Sequence, residues 1–150
     1  MTLLTPFERQ VVDAVLQGSH QQLAILRKQA AVAKVSSREH TVVGAYVNFV
    51  VPPTLAAATP HDMVFGDVNV EVENVEVGVT ALLFIKNGYI SFLEFATYMG
   101  EWPKEPRLLK LGYFREEPMG PNSFSLIPVP ERDPHALARA LAGHHVQNAV

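Results

Sequence analysis

Cysteine is absent from the 150 residues, which removes at once a disulfide framework, a thiolate metal site and a cysteine nucleophile. A reducing compartment is the expected setting. Long apolar runs are missing too: no stretch approaches the ~18 residues that a membrane-spanning helix requires, and residues 1–7 have neither the basic start nor the apolar core of a secretory signal. The reading is a cytoplasmic protein, bacterial in style, with no membrane partner. Positive charge is scarce: 12 Lys and Arg stand against 15 Asp and Glu, for a formal net charge of −3. Binding to a phosphate backbone needs clustered cations. Lys104, Arg107, Lys110 and Arg115 come nearest to a cluster, but proline and glutamate interrupt them, and they read as a solvated strand face. No nucleic-acid partner is expected.

Motifs that announce chemistry are also lacking. There is no Gly-x-Gly-x-x-Gly, no Walker-type Gly-Lys-Ser/Thr and no Gly-x-Ser-x-Gly elbow, so neither a nucleotide loop nor a hydrolase nucleophile is indicated. The six histidines, His20, His40, His61, His135, His144 and His145, show neither His-Glu-x-x-His spacing nor strand-alternate pairing with a carboxylate. No metal and no cofactor are expected.

What is present is a normal globular composition, 48% hydrophobic and 18% charged, over a length that suits one domain. Residues 1–150 are read as a single α+β domain, with 117–150 a peripheral proline-rich extension carrying a short helix. Thr5-Pro6-Phe7-Glu8 is a helix start: a capping threonine, a proline at the first helical position and a carboxylate that reaches back. The buried stripe should be Phe7, Val11, Val12, Val15 and Leu16, with Gly18 closing the helix near Gln17. Ser19-His20-Gln21-Gln22 repeats the pattern, with Ser19 as the cap of a second helix that buries Leu23, Leu26 and Ala30. A helical hairpin follows.

After Ala31 the period changes to that of strands. Residues 42–51 read as a strand ended by Pro52-Pro53, and 55–61 as a loop. Residues 67–73 alternate, with Val68, Val70 and Val72 inward and Asn69, Glu71 and Glu73 outward, as in a strand near a sheet edge. Asn87-Gly88 between residues 79–86 and 89–98 predicts a two-residue hairpin of type I′. An unbroken register from that turn opposes Lys86 with Tyr89, Ile85 with Ile90, Leu83 with Phe92 and Ala81 with Glu94. Residues 107–115 supply a last strand, with Leu109, Leu111 and Tyr113 on one side. The prolines at 118, 121, 128, 130 and 134 bar a central strand or helix beyond it. There Phe124, Leu126 and Ile127 look like anchors laid against the body, and Asp133-Pro134 starts the short terminal helix, with the final residues 144–150 expected to fray. The expected architecture is a helical hairpin packed on a mainly antiparallel sheet of about four to six strands.

Both faces of the hairpin are largely apolar in this register, so both must be covered. The helices cover one. The C-terminal segment, curling of the sheet or a second subunit must cover the other, and a homodimer is the preferred answer.

Glu94 is the candidate catalytic residue, because it falls on an apolar face beside the small side chains of Ala81 and Ala96. One reading is a pocket in which Glu94 holds a cation or hydroxyl, or acts as general base, with Tyr46, Tyr98, Trp102 and Arg38 as further ligand-binding residues. The other is a structural carboxylate bonded to a backbone amide, to Arg38 or to Tyr46. Tyr98 and Trp102 either rim a pocket or plug the end of the sheet.

The pattern Phe84-x3-Gly88-x4-Leu93-Glu94-x3-Tyr98-x3-Trp102-Pro103, together with Arg38-Glu39-His40-Thr41-Val42-Val43-Gly44, resembles segments of small uncharacterised bacterial α+β proteins. The resemblance covers about the middle half of the chain. It implies a stand-alone α+β domain with a recurring Glu94, and it implies no activity. The leading functional expectation is a self-associating interaction module that meets a protein partner through a sheet face or through the edge at 67–73. The alternatives are a small-ligand binder or enzyme around Glu94, and an accessory subunit of a larger assembly.

Overall fold

The computed structural model describes residues 1–143; the terminal pair His144-His145 and the tail expected to fray lie outside the described residues. Helix α1 (Pro6–Val15) begins as its sequence dictates. Glu8 N donates to Thr5 Oγ1 at 3.1 Å, and Thr5 N donates to Glu8 Oε1 at 2.9 Å. Helix α2 (Gln21–Val32) starts one residue later than Ser19 implied. His20 holds the extended cap conformation, and its Nδ1 accepts from Gln22 N at 3.1 Å, so His20 and not Ser19 is the cap. The cap must be the last non-helical residue, and the turn through Gly18 (φ 141°) moves that position on by one. The stripes expected of both helices are buried.

Seven antiparallel strands follow: β1 (Lys34–His40), β2 (Gly44–Val50), β3 (Met63–Val72), β4 (Val79–Lys86), β5 (Tyr89–Thr97), β6 (Leu108–Pro118) and β7 (Phe124–Val129). Their order across the sheet is β1-β2-β5-β4-β3-β6-β7, and with the helices this makes an α+β fold. The hairpin of β4 and β5 is central, as expected, and its turn has Asn87 at φ 54° and Gly88 at φ 84°, the pair of left-handed residues that type I′ demands.

Four further expectations are corrected. First, the register holds only for Lys86–Tyr89 and Ile85–Ile90; it then shifts, so that Phe84 opposes Phe92, Leu83 opposes Leu93, Leu82 opposes Glu94 and Ala81 opposes Phe95. The shift accommodates one extra residue on β5, and one residue is enough to exchange the two faces of everything beyond it. Second, β3 is not at an edge: it is flanked by β4 and β6. Its alternation reflects one covered and one open side of an interior strand. Third, the proline-rich stretch contributes β7, paired with β6 from Tyr113–Val129 to Pro118–Phe124. Proline excludes a central position, and an edge position remains open to it. A fourth difference follows from the irregularity between Glu71 and Val72: Leu109 is left out of the pairing and exposed while Leu111 and Tyr113 pack inward.

All three helices lie on one side. Val11, Val12, Val15, Leu16, Leu23 and Leu26 pack with Met63, Phe65, Val68, Val70, Leu83, Ile85 and Leu93 in one buried cluster. Helix α3 (Pro134–Leu141), capped by Asp133, packs on β3. Before it, Arg132 donates to both oxygens of Asp67 at 2.8 Å and to Gln17 O at 2.8 Å, and lies 5.2 Å over the Tyr113 ring. Tyr113 OH in turn donates to Ala14 O at 2.9 Å. Gln29, wholly buried, joins α2 to the hairpin tip: its Nε2 donates to Gly88 O and Ala56 O, both at 2.9 Å, and its Oε1 accepts from Ile90 N at 3.0 Å. The C-terminal helix is therefore on the already covered side. Among the described residues no helix lies on the other face, and no helix is long and apolar enough to cross a membrane.

Candidate functional site

The five residues expected to form one site are divided between the two sides of the sheet. Tyr46 and Glu94 are cross-strand neighbours on the open face, and Tyr46 OH donates to Glu94 Oε2 at 3.3 Å. Glu94 opposes Leu82 and not Ala81, so the small-residue hollow expected around it is not formed. The stacked pair Phe84 and Phe92, 4.2 Å apart at 13°, lies alongside, with Lys86 Nζ 5.4 Å from the Phe92 ring. The Tyr46 phenol has a raised pKa, first because of the negative charge of Glu94, then through burial, the hydrogen bond to Glu94 and the charge of Glu39. It therefore remains a donor at neutral pH. A single long hydrogen bond on a half-exposed carboxylate is a modest interaction. Glu94→Gln is expected to change unfolding free energy by less than ~1 kcal/mol while lowering the Tyr46 pKa toward its ordinary value. Urea unfolding and ultraviolet pH titration against the parent measure the two effects; a large stability loss would restore Glu94 to a structural role.

Tyr98 lies elsewhere on the open side, in a groove of about 860 Å³ that also includes Asn69, Leu109, Phe114, Phe124 and Leu126. Burial raises the Tyr98 pKa. Asn69, 6% exposed, lies at the bottom, and its Oδ1 has no hydrogen-bond partner.

Trp102 and Arg38 are on the covered side, at a second hollow of about 390 Å³ between the start of α1, strands β1, β2 and β5, and residues 102–106. Three aromatic rings converge there: Phe95 and Trp102 stack at 5.0 Å and 13°, and Phe7 is tilted against both at 5.3 and 6.1 Å. The backbone hangs Trp102 in place, since its N–H donates to Val42 O at 2.9 Å, two residues before β2. Arg38 uses four of its five N–H groups: Nε and Nη2 donate to the two Glu8 oxygens at 2.8 and 2.9 Å, Nη2 also to Leu3 O at 3.1 Å, and Nη1 to Thr2 Oγ1 at 3.2 Å. The hydrogen bond to Glu8 is the main reason the Arg38 pKa is raised. The partner of Arg38 is thus Glu8, not Glu94. His40 Nε2 stands 3.2 Å from Trp102 O; opposite a carbonyl that nitrogen carries a proton, and in the neutral ring Nδ1 is then the acceptor.

Phe7, His40, Ala45 and Phe95 belong to this hollow and were not singled out from the sequence. The bulge puts Phe95 opposite Ala81, where an unbroken register puts Glu94, and the sequence marks Phe7 only as part of a helix stripe. Comparison of the chain with protein-family models, with curated proteins and with solved structures finds no match.

Proposed function

We propose that the chain is a self-associating interaction module, housed in a reducing compartment such as the cytoplasm, whose contact surface is the open side of the sheet. One observation carries the reading: Val77, Tyr98, Leu109, Phe124 and Leu126, between 41% and 64% exposed, surround a single groove on that side. Scattered exposed apolar side chains are ordinary, but a contiguous patch of this kind marks a contact surface. The Phe84–Phe92 stack continues the apolar surface toward Tyr46.

A second copy suits the surface. Lys86 is beside the hairpin turn, while Glu94 lies farther along the same face. A two-fold axis in the contact plane, crossing the strands, brings Lys86 of each copy toward Glu94 of the other, and a self-complementary patch is what a two-fold interface requires.

Light scattering coupled to size exclusion tests this. The parent chain is expected at twice the monomer mass, and the double variant Leu109→Asp with Phe124→Asp at the monomer mass with its helices and sheet unchanged. Two such charges in an apolar contact weaken association by roughly a hundredfold or more. A parent that runs as a monomer at ~100 μM, a concentration at which even micromolar pairing would be visible, rules the reading out.

A further inference from the structure

We propose that the hollow beneath Trp102 binds a neutral, planar aromatic molecule carrying a hydrogen-bond donor. The proposal is independent of self-association, because the hollow is on the helix side of the sheet and shares no lining residue with the open-face groove.

The volume, about 390 Å³, is within the range of sites that enclose small metabolites. Its apolar wall is built on three aromatic rings. Phe7, Phe95 and Trp102 are each more than nine-tenths buried yet border open space, and Pro6, Ala45, Val47 and Pro106 complete the wall. Rings of this kind favour a flat partner, stacked or edge-on.

Charge narrows the class. Arg38 and Glu8, the cation and anion nearest the α1 start, satisfy each other, so they form a neutral wall and are not a free anchor. At the mouth Lys104 is offset by Glu105, whereas the Glu39 carboxylate is turned to the open face, where it accepts from Asn48 Nδ2, so the lining offers an anionic ligand no surplus of positive charge. His40 also lines the hollow, and with its Nε2 committed to Trp102 O its neutral ring offers Nδ1 as an acceptor. A ligand N–H or O–H would complete it.

Trp102 is the only tryptophan, so its fluorescence reports this place alone. The probe is N-phenyl-1-naphthylamine, which is neutral, planar, carries one N–H and brightens in apolar surroundings. Saturable binding of one probe per chain, with quenching of Trp102 by energy transfer, is the expected result. Its sulfonated analogue, 8-anilinonaphthalene-1-sulfonate, has the same rings and donor plus an anion, and is expected to bind at least ~10-fold more weakly, because an apolar hollow whose cations Arg38 and Lys104 are offset by Glu8 and Glu105 does not repay the desolvation of a sulfonate. Ala45→Leu, which fills the hollow, should weaken the neutral probe by at least ~10-fold. His40→Phe, at an exposed position, should weaken it roughly fivefold, the effect of one lost hydrogen bond, with the unfolding midpoint and the Trp102 emission of the free chain unchanged to show that the wall is intact. The Leu109→Asp, Phe124→Asp double variant should bind as the parent does. The proposal is overturned by the absence of saturable binding, by the anionic analogue binding as tightly as the neutral probe, by retention of affinity in both Ala45→Leu and His40→Phe, or by its loss in the open-face variant.

Discussion

Gly44→Ala is expected to lower the unfolding free energy by about 3 kcal/mol or more, the upper end of what an overpacked site costs. Gly44 opposes Ala96 where β2 meets β5. A Cβ at this position would be 2.0 Å from Phe95 O, 3.0 Å from the carbonyl carbon of Phe95 and 3.3 Å from Ala96 Cα. All three are backbone atoms, so no rotamer change relieves the contact, and the end of β2 must lift away from β5. The lift disturbs more than one rung of the ladder. Thr41 N bonds to Gly44 O, Thr97 N to Val43 O and Trp102 N to Val42 O, all at 2.8–2.9 Å, so the segment carrying Trp102 loosens with it. Equilibrium urea unfolding measures the loss, and a red shift of Trp102 emission in the native state is its local signature. A variant within about 1 kcal/mol of the parent, the ordinary range for a surface change, would contradict the close approach of the two strands.

Gln29→Leu is expected to cost a similar amount, about 3 kcal/mol, by leaving a buried amide without a partner. The glutamine is wholly buried and serves three backbone groups. Gly88 O keeps a second donor, Ala58 N at 2.8 Å. Ala56 O and the Ile90 amide lose their Gln29 partner, and leucine offers nothing in its place. The Ile90 amide is buried, and left unpaired it costs up to ~3 kcal/mol, which outweighs the gain from a more apolar side chain, whereas the carbonyl of exposed Ala56 can turn to water. Gln29→Glu should be no milder, since it keeps an acceptor for Ile90 N but sets a carboxylate against two carbonyl oxygens. Chemical unfolding gives the magnitude, and faster hydrogen exchange at Ile90 gives the location. An unchanged midpoint for Gln29→Leu would mean that the hairpin tip is not held from α2.

Local signals were legible in the sequence, and long-range ones were not. The α1 capping box and the Asn87-Gly88 turn involve groups within three residues of one another, and both are found where the letters put them. The β5 bulge has no such signature. Ser91 is an unremarkable residue, and only pairing with β4 reveals that one residue too many has been fitted in. That single residue moved Glu94 from the expected hollow to the open face and hid Phe95 from consideration. The interior placement of β3 depends on β6, which comes much later in the chain, and an alternating strand looks the same whether its neighbour is solvent or another strand with an open face. The hollow at Trp102 gathers Phe7, Ala45 and Phe95 from three separate elements, so no spacing rule could assemble it. One available sign passed unused: Gln29 is three residues beyond Leu26 and next to Ala30, on the stripe that α2 buries. A polar residue on such a stripe calls for a partner.

The two outermost strands limit what an assembly of these chains can become. Along β1, Lys34, Arg38, Glu39 and His40 place charge and polarity at the rim, and Thr2 already bridges to Val35 with two backbone hydrogen bonds. Along β7, Pro128 has no amide hydrogen to offer a newcomer. Ribbon-like growth, in which molecule after molecule extends the ladder, is thereby discouraged at either end. The association proposed above is instead a stacking, broadside to broadside. With three helices on one broadside, an encounter of that kind would use up the open surface, and growth would terminate at a pair.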